Sequence, residues 1–280
     1  MTHFVVYDVF TDTPFGGNQL AILPDGEGVK PDRLQTIAAE FGYSETVFVF
    51  PPDDLRHTAK LRIFTPRNEL DFAGHPIIGT AVALSRLGFP TDMTLETGVG
   101  PILCEVTGDR AAFVTTQPLV RDAEPAIDLV ARVLGLAASH IDTRVHPPVQ
   151  AGLGTAFTLV RLTDREALAR CRPDVAAMRA AAEAHPARLG FATLAYVAEG
   201  DRLHARMFAP LDGIQEDPAT GAAVAALAAL LVEILGPQDL TVHQGEDMGR
   251  PSVIHAQADA GQVRIAGAAC QTMEGQLVVR

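Results

Sequence analysis

The chain has 280 residues, 48% apolar and 20% charged, which suits one large or two ordinary soluble domains and excludes a disordered chain. Lys and Arg total 22 against 34 Asp and Glu, a formal charge of −12 with no basic cluster, so a nucleic-acid partner is not expected. In such a field an anionic ligand depends on local devices such as helix N-termini.

In chain order, the start from Thr2 to Phe10 lacks the basic region and small-residue cleavage site of a signal peptide and reads as a first strand. Pro14 to Gln19 is a glycine-rich turn holding Asn18, whose amide either bonds a polar ligand or closes a hairpin. Further strands are expected at Gln19 to Leu23, Thr46 to Phe50, Ala59 to Phe64, Met93 to Glu96, Gly100 to Val106 and Ala111 to Thr115. Helices are expected at Pro31 to Phe41, where Leu34, Ile37, Ala38 and Phe41 share one face, and at Pro76 to Leu87. The order then recurs. Ala126 to Leu134 and Val175 to His185 read as helical, Ala156 to Leu162, Phe191 to Ala198 and Leu203 to Phe208 as extended, and Pro218 to Leu235 as a helix. The last strand, Gln276 to Arg280, is free to return to the first half.

Part of this recurrence is a repeat. Arg62-Ile63-Phe64-Thr65-Pro66, followed by His75-Pro76-Ile77-Ile78-Gly79-Thr80-Ala81-Val82-Ala83, reappears as Arg206-Met207-Phe208-Ala209-Pro210 and Asp217-Pro218-Ala219-Thr220-Gly221-Ala222-Ala223-Val224-Ala225. Two lobes are therefore expected, 1–117 and 118–280. The helices that follow the two proline loops have no polar face, so each belongs inside its lobe. The expected fold class is α+β: two pseudo-symmetric lobes, each a mostly antiparallel, barrel-like sheet around a central buried helix.

The repeat puts His75 in one loop where Asp217 stands in the other. A proline suits the first position of a helix, which makes His75 and Asp217 its expected cap residues. Asp217 serves as a cap for stability or as a functional carboxylate; His75 is a poorer cap and points toward function. Gly74 allows close approach of backbone to a ligand. With the lobes facing each other, the two helix starts converge on a cleft and grip a carboxylate or an enolate-like charge. Glu45 ends an apolar stripe with Val47 and Val49; it is either a wet strand end or a desolvated acid/base. Arg250, in the turn from His243 to Ser252, balances a carboxylate or forms an exposed salt bridge.

Cys104, Cys171 and Cys270 are isolated, with no C-x-x-C spacing, and the nine histidines show no H-E-x-x-H, so no local metal site is expected and the setting is read as reduced and cytoplasmic. No G-x-G-x-x-G or phosphate-loop motif supports a nucleotide cofactor. The longest apolar run, Ala222 to Val232, is too short to span a bilayer, so no membrane insertion is expected.

Five segments in order carry a resemblance: Asp8 to Asn18 (D-V-F-T-x-x-P-F-x-G-N), Ser44 to Phe48 (S-E-T-V-F), Phe72 to Ala81 (F-A-G-H-P-x-x-G-T-A), Glu216 to Gly221 (E-D-P-A-T-G) and Gln244 to Ser252 (Q-G-x-x-M-G-R-P-S). Together they resemble the PhzF-like, or phenazine-biosynthesis isomerase, family of the diaminopimelate epimerase-like fold. The resemblance implies a homodimer, a site between the lobes, a small carboxylate substrate and proton transfer without a cofactor. It assigns Glu45 as acid/base, His75 and Asp217 as its assistants, and Asn18, Ser44, Gly74, Gly221, Ala222 and Arg250 as substrate-binding positions. The best-known reaction of the family isomerises trans-2,3-dihydro-3-hydroxyanthranilic acid.

The chain departs from that pattern at Ala222, where the family enzyme has serine, at Asp71, where proline is usual, and at Ile77-Ile78. A hydroxyl lost from a site leaves its partner unpaired unless the substrate lacks that partner, so an altered substrate is expected. The leading expectation is an isomerase that migrates a double bond. Its alternatives are a racemase or epimerase, and a non-catalytic small-acid binding or interaction protein on the same scaffold.

Overall fold

A computed structural model describes residues 2–278. The chain divides into two compact units, Met1–Thr115 with Ile265–Arg280, and Thr116–Arg264. The first unit contains β1 (Thr2–Val9), β2 (Asn18–Leu23), α1 (Leu34–Phe41), β3 (Glu45–Phe50), β4 (Ala59–Phe64), β5 (Glu69–Leu70), α2 (Gly74–Arg86), β6 (Asp92–Thr97), β7 (Gly100–Thr107) and β8 (Arg110–Thr115). The second contains β9 (Val120–Ala123), α3 (Ile127–Leu134), β10 (Val149–Gly152), β11 (Ala156–Arg161), α4 (Arg165–Arg170), α5 (Val175–Ala184), β12 (Thr193–Glu199), β13 (Arg202–Ala209), β14 (Ile214–Asp217), α6 (Gly221–Leu235), β15 (Gln238–Gln244) and β16 (Ser252–Asp259). The long β17 (Gln262–Leu277) then pairs antiparallel with β1, Thr2 opposite Leu277. Of the expected last strand, Val279 and Arg280 lie outside the described residues.

In the first unit the sheet closes on itself. β1–β2 is antiparallel, β2–β3 parallel, β3–β4 antiparallel, β4–β6 parallel, β6–β7 and β7–β8 antiparallel, and β17 bridges β8 and β1. Closure removes the exposed edges that would otherwise template aggregation. The second unit repeats the alternation: β10–β11 antiparallel, β11–β12 parallel, β12–β13 antiparallel, β13–β15 parallel, β15–β16 antiparallel. The R-x-F-x-P strands are β4 and β13, and each carries a short partner, β5 and β14, immediately before its proline loop.

Each unit wraps its sheet around one helix, as expected. Residues 74–84 of α2 are all buried, against β1, β2, β3, β7 and β8. α6 is built largely from Ala and Leu, strong helix formers, and lies against β10, β11, β15 and β16. Helices α4 and α5 begin at side-chain caps: Asp164 accepts from Ala167 N, and Asp174 from Ala176 N and Ala177 N.

Close packing of α2 has a specific requirement at Gly79, where a Cβ would sit 2.7 Å from both Leu20 Cδ2 and Val9 Cγ2. Replacing Gly79 by Val is expected to overpack this layer and cost ~1–3 kcal/mol, read as a lower midpoint in urea denaturation.

Candidate active site

The structure corrects one sequence expectation at once: neither His75 nor Asp217 caps a helix. α2 already begins at Gly74, with Ala73 extended at its cap, so His75 is inside the first turn and Pro76 is the third helical residue. α6 begins later, at Gly221, and Asp217 is the last residue of β14, paired with Met207. The repeated residues thus have different local backbones. In the second loop the Gln244 amide engages the backbone between β14 and α6. Its Nε2 donates to Asp217 O at 2.8 Å, and its Oε1 accepts from Thr220 N at 3.2 Å.

In the first unit Glu45, at the start of β3, and His75 are brought together, with Glu45 Oε2 3.2 Å from His75 Nε2. Their side chains are 13% and 4% exposed, so the pair is nearly dry. Burial pushes the His75 imidazole down to about 3, with a backbone hydrogen bond to Gln19 acting the other way. The ring is therefore neutral near pH 7, and attraction between Nε2 and Oε2 needs one proton on the line joining them. Asn18 Nδ2 lies 3.4 Å from His75 Nδ1. Asn18 also opens β2, opposite Val9, in line with the hairpin reading of this residue.

Because the folded imidazole is depressed relative to the ordinary value of about 6.5, its contribution to stability is complete above that value and is lost as pH falls toward about 3. Acidification through this window is expected to destabilise the protein by up to ~1.4 kcal/mol per pH unit from this proton alone. His75→Gln should flatten the corresponding part of the stability-versus-pH curve in chemical denaturation.

In the second unit Asp217 is 5% exposed, and its Oδ2 accepts from Thr220 Oγ1 at 2.6 Å. Thr220 Oγ1 in turn accepts from Gln244 Nε2 at 3.0 Å. Gly245, at φ +74, makes the turn after Gln244; a Cβ there would meet Arg250 O at 2.3 Å and Pro218 O at 2.8 Å. Only glycine combines that left-handed backbone with so close an approach to the Asp217 loop. Thr220 and Gln244 were inside quoted motifs yet were not singled out as site residues; a glutamine opening a motif and followed by glycine was the available signal.

The remaining candidates fall as follows. Ser44 is half-buried and precedes Glu45, while Gly74 and Gly221 are buried first residues of α2 and α6. Ala222 is half-buried in the first turn of α6. Arg250 is half-buried, with its backbone N donating to Gly245 O at 3.0 Å. Asp71 is exposed just after β5.

Register supplies the internal counterparts. Thr46 pairs with Phe64 and Thr193 with Phe208, the phenylalanines of the repeated motif, so the position of Glu45 is occupied by Ala192 in the second unit. One unit therefore carries a carboxylate and an imidazole, and the other a single aspartate. Among the described residues no group of three His, Cys, Asp or Glu is placed to hold a metal ion, and no helix is long and apolar enough to cross a membrane.

A duplicated α+β barrel with unlike ionisable groups in its two proline loops defines a diaminopimelate epimerase-like scaffold. Residues 7–275 match the family described as phenazine biosynthesis-like protein. The chain is 34% identical over 274 residues to a trans-2,3-dihydro-3-hydroxyanthranilate isomerase of Pseudomonas fluorescens, covering 92% of this chain and 91% of that one. It is also 34% identical over 300 residues to an uncharacterised isomerase of Mesorhizobium japonicum, covering 99% of both. Among solved structures, a PhzF-family phenazine biosynthesis protein of Bacillus anthracis superposes with TM-score 0.87 at 24% identity, covering 99% of each chain. A hydroxyproline epimerase of Agrobacterium vitis shares the fold at TM-score 0.64 and 14% identity, over 98% of this chain and 91% of that one. The chain belongs to the PhzF-like family, and it is an isomerase.

Proposed function

We propose that the protein is a cofactor-independent isomerase of a small carboxylic acid, with Glu45 as base and then acid in migrating a double bond. The observation that supports this most directly is the buried approach of Glu45 to His75 at 3.2 Å. A carboxylate in a nearly dry setting, next to a neutral imidazole able to donate or accept, is suited to taking a proton from carbon and giving it back. In the proposed step Glu45 removes a proton from carbon next to a carboxylate or its vinylogous equivalent. The C–H electron pair moves into the conjugated system, the double bond shifts, and the protonated Glu45, after exchanging its acid proton with solvent, delivers a proton to the distal carbon. On family membership, His75 and Asp217 are each taken to assist the proton movement.

Ala192 favours migration over inversion. Returning a proton to the opposite face of one carbon requires a second acid/base, and the counterpart of Glu45 in the duplicated scaffold is a methyl group. Relatives named for trans-2,3-dihydro-3-hydroxyanthranilate make that compound the first one to test, while Ala222 argues for a substrate lacking the partner of the serine hydroxyl. We further take the assembly to be a homodimer and the compartment to be cytoplasmic, on family membership and the three isolated cysteines.

The test is proton NMR in deuterated water with a panel of small unsaturated, hydroxy and amino acids that includes trans-2,3-dihydro-3-hydroxyanthranilate. Deuterium entering at a new position, with a shifted double bond, is the expected result. Exchange at one centre with inversion would mean an epimerase. Binding without exchange across the panel would mean that the substrate class is wrong.

A further inference from the structure

We propose that Gln244, acting through Thr220, is a positioning residue that fixes the orientation of the Asp217 carboxylate and holds it ionised; this rests on Asp217 having the role given above. Gln244 is fully buried on β15, yet three of its polar contacts go to the Asp217 loop. The orientation of its amide is unambiguous. The nitrogen faces the carbonyl of Asp217 and the oxygen faces the N–H of Thr220, and neither pairing survives an exchange of the two ends.

That orientation fixes the threonine hydroxyl as well. Thr220 Oγ1 has one proton; by accepting from Gln244 Nε2 at 3.0 Å it is left donating to Asp217 Oδ2 at 2.6 Å. A short bond from a hydroxyl to a carboxylate is charge-assisted and favours the ionised form. It also pins Oδ2 inward, so Oδ1 is the oxygen turned elsewhere. Charged and titratable groups on the surrounding elements include Arg206 and His204 on β13, Glu216 on β14, His243 on β15, and Glu246, Asp247 and Arg250 after it. Arg206 and Glu216 are a pair, bound to each other at 2.7 and 2.8 Å, and Glu246 is held by His204 and Arg165.

The duplicated unit serves as an internal control. Lys60 and His204 each precede the repeated arginine by two residues, and they pair with Glu96 and His243. The next residues, Thr97 and Gln244, therefore correspond, and each precedes a glycine. Ile78 corresponds to Thr220. The glutamine–threonine pair is thus present only in the unit whose loop carries the carboxylate. Where the loop carries His75, Thr97 Oγ1 donates instead to Gly100 O at 2.8 Å within its own turn.

Thr220→Val separates orientation from loop stability, because it removes the hydroxyl but keeps the branched shape and the Gln244 bond to the backbone. With aspartate labelled with carbon-13, the Asp217 carboxyl is expected to titrate about one pH unit higher in Thr220→Val than in wild type, a tenfold gain in proton affinity. Its melting temperature should change little. In the exchange assay kcat should fall about tenfold with KM nearly unchanged, and Thr220→Ser should restore both readouts. Thr220→Ala, with the same expected titration shift, replaces the valine variant if that one does not fold. An unchanged Asp217 titration in the variant lacking the hydroxyl would overturn the proposal, whatever its activity. Full activity in Asp217→Asn would overturn the role of Asp217 itself, and the titration result distinguishes the two failures.

Discussion

Glu45→Gln is expected to lower turnover by ~10²–10⁴-fold, the usual contribution of a positioned general acid/base, while leaving the fold and substrate affinity nearly intact. The substitution is almost isosteric, and an amide retains a partner for His75 Nε2, so little packing is lost at a side chain that is 13% exposed. What disappears is the titrating carboxylate that the proposed mechanism requires. The expected readout in deuterated water is no deuterium at the new position, with ligand binding still detectable by calorimetry. Survival of exchange in this variant would remove Glu45 from the chemistry and redirect attention to His75 and Asp217.

The largest expected stability effect lies at the repeated arginine of the second unit. Arg206 binds Glu216 through two bonds of 2.7 and 2.8 Å, donates to the carbonyls of Leu168, Ala169 and Cys171, and lies over the Phe208 ring at 5.0 Å. The two charged side chains are 10% and 16% exposed. Arg206→Met is expected to cost ~3–5 kcal/mol, because Glu216 and three carbonyls then lose their donor in a largely dry setting. Glu216 directly precedes Asp217, so the loss should loosen that loop as well. In the first unit Arg62 pairs with Glu69 at 2.7 Å and covers Phe64 in the same way, but there the side chains are 33% and 43% exposed. Arg62→Met is therefore expected to cost only ~0–1 kcal/mol. Urea denaturation of the two variants side by side checks both magnitudes, and equal losses would show that burial does not govern the pair.

The comparison of these arginines marks how far the amino-acid sequence reached. R-x-F-x-P occurs twice and reads identically; the buried clamp is the copy whose arginine reaches the Leu168 and Ala169 carbonyls of α4, a contact the motif does not encode. Local signals were strong where periodicity was strong. The apolar faces of α1 and α3, the all-apolar α2 and α6, and most strands up to Thr115 lie within a few residues of their expected bounds. After α6 only the returning end of the last strand is legible in the sequence, because half-polar stretches such as Gln238–Gln244 take their extended form from pairing partners distant in the chain.

By itself the sequence determined the duplication, the α+β class with a buried helix in each half, and the residue types available for chemistry, because repetition, periodicity and composition are local and additive. Only the tertiary structure decided which of those residues meet. Glu45 and His75 are 30 positions apart in sequence and 3.2 Å apart in space, since β3 and the start of α2 end together in one barrel. Gln244 reaches back to Thr220 and Asp217 because parallel pairing of β13 with β15 carries it there. The registers of β3 on β4 and of β12 on β13 put Ala192 in the place of Glu45. Strand registers are fixed by which faces the closed sheets bury, a property of the whole unit that no short motif encodes.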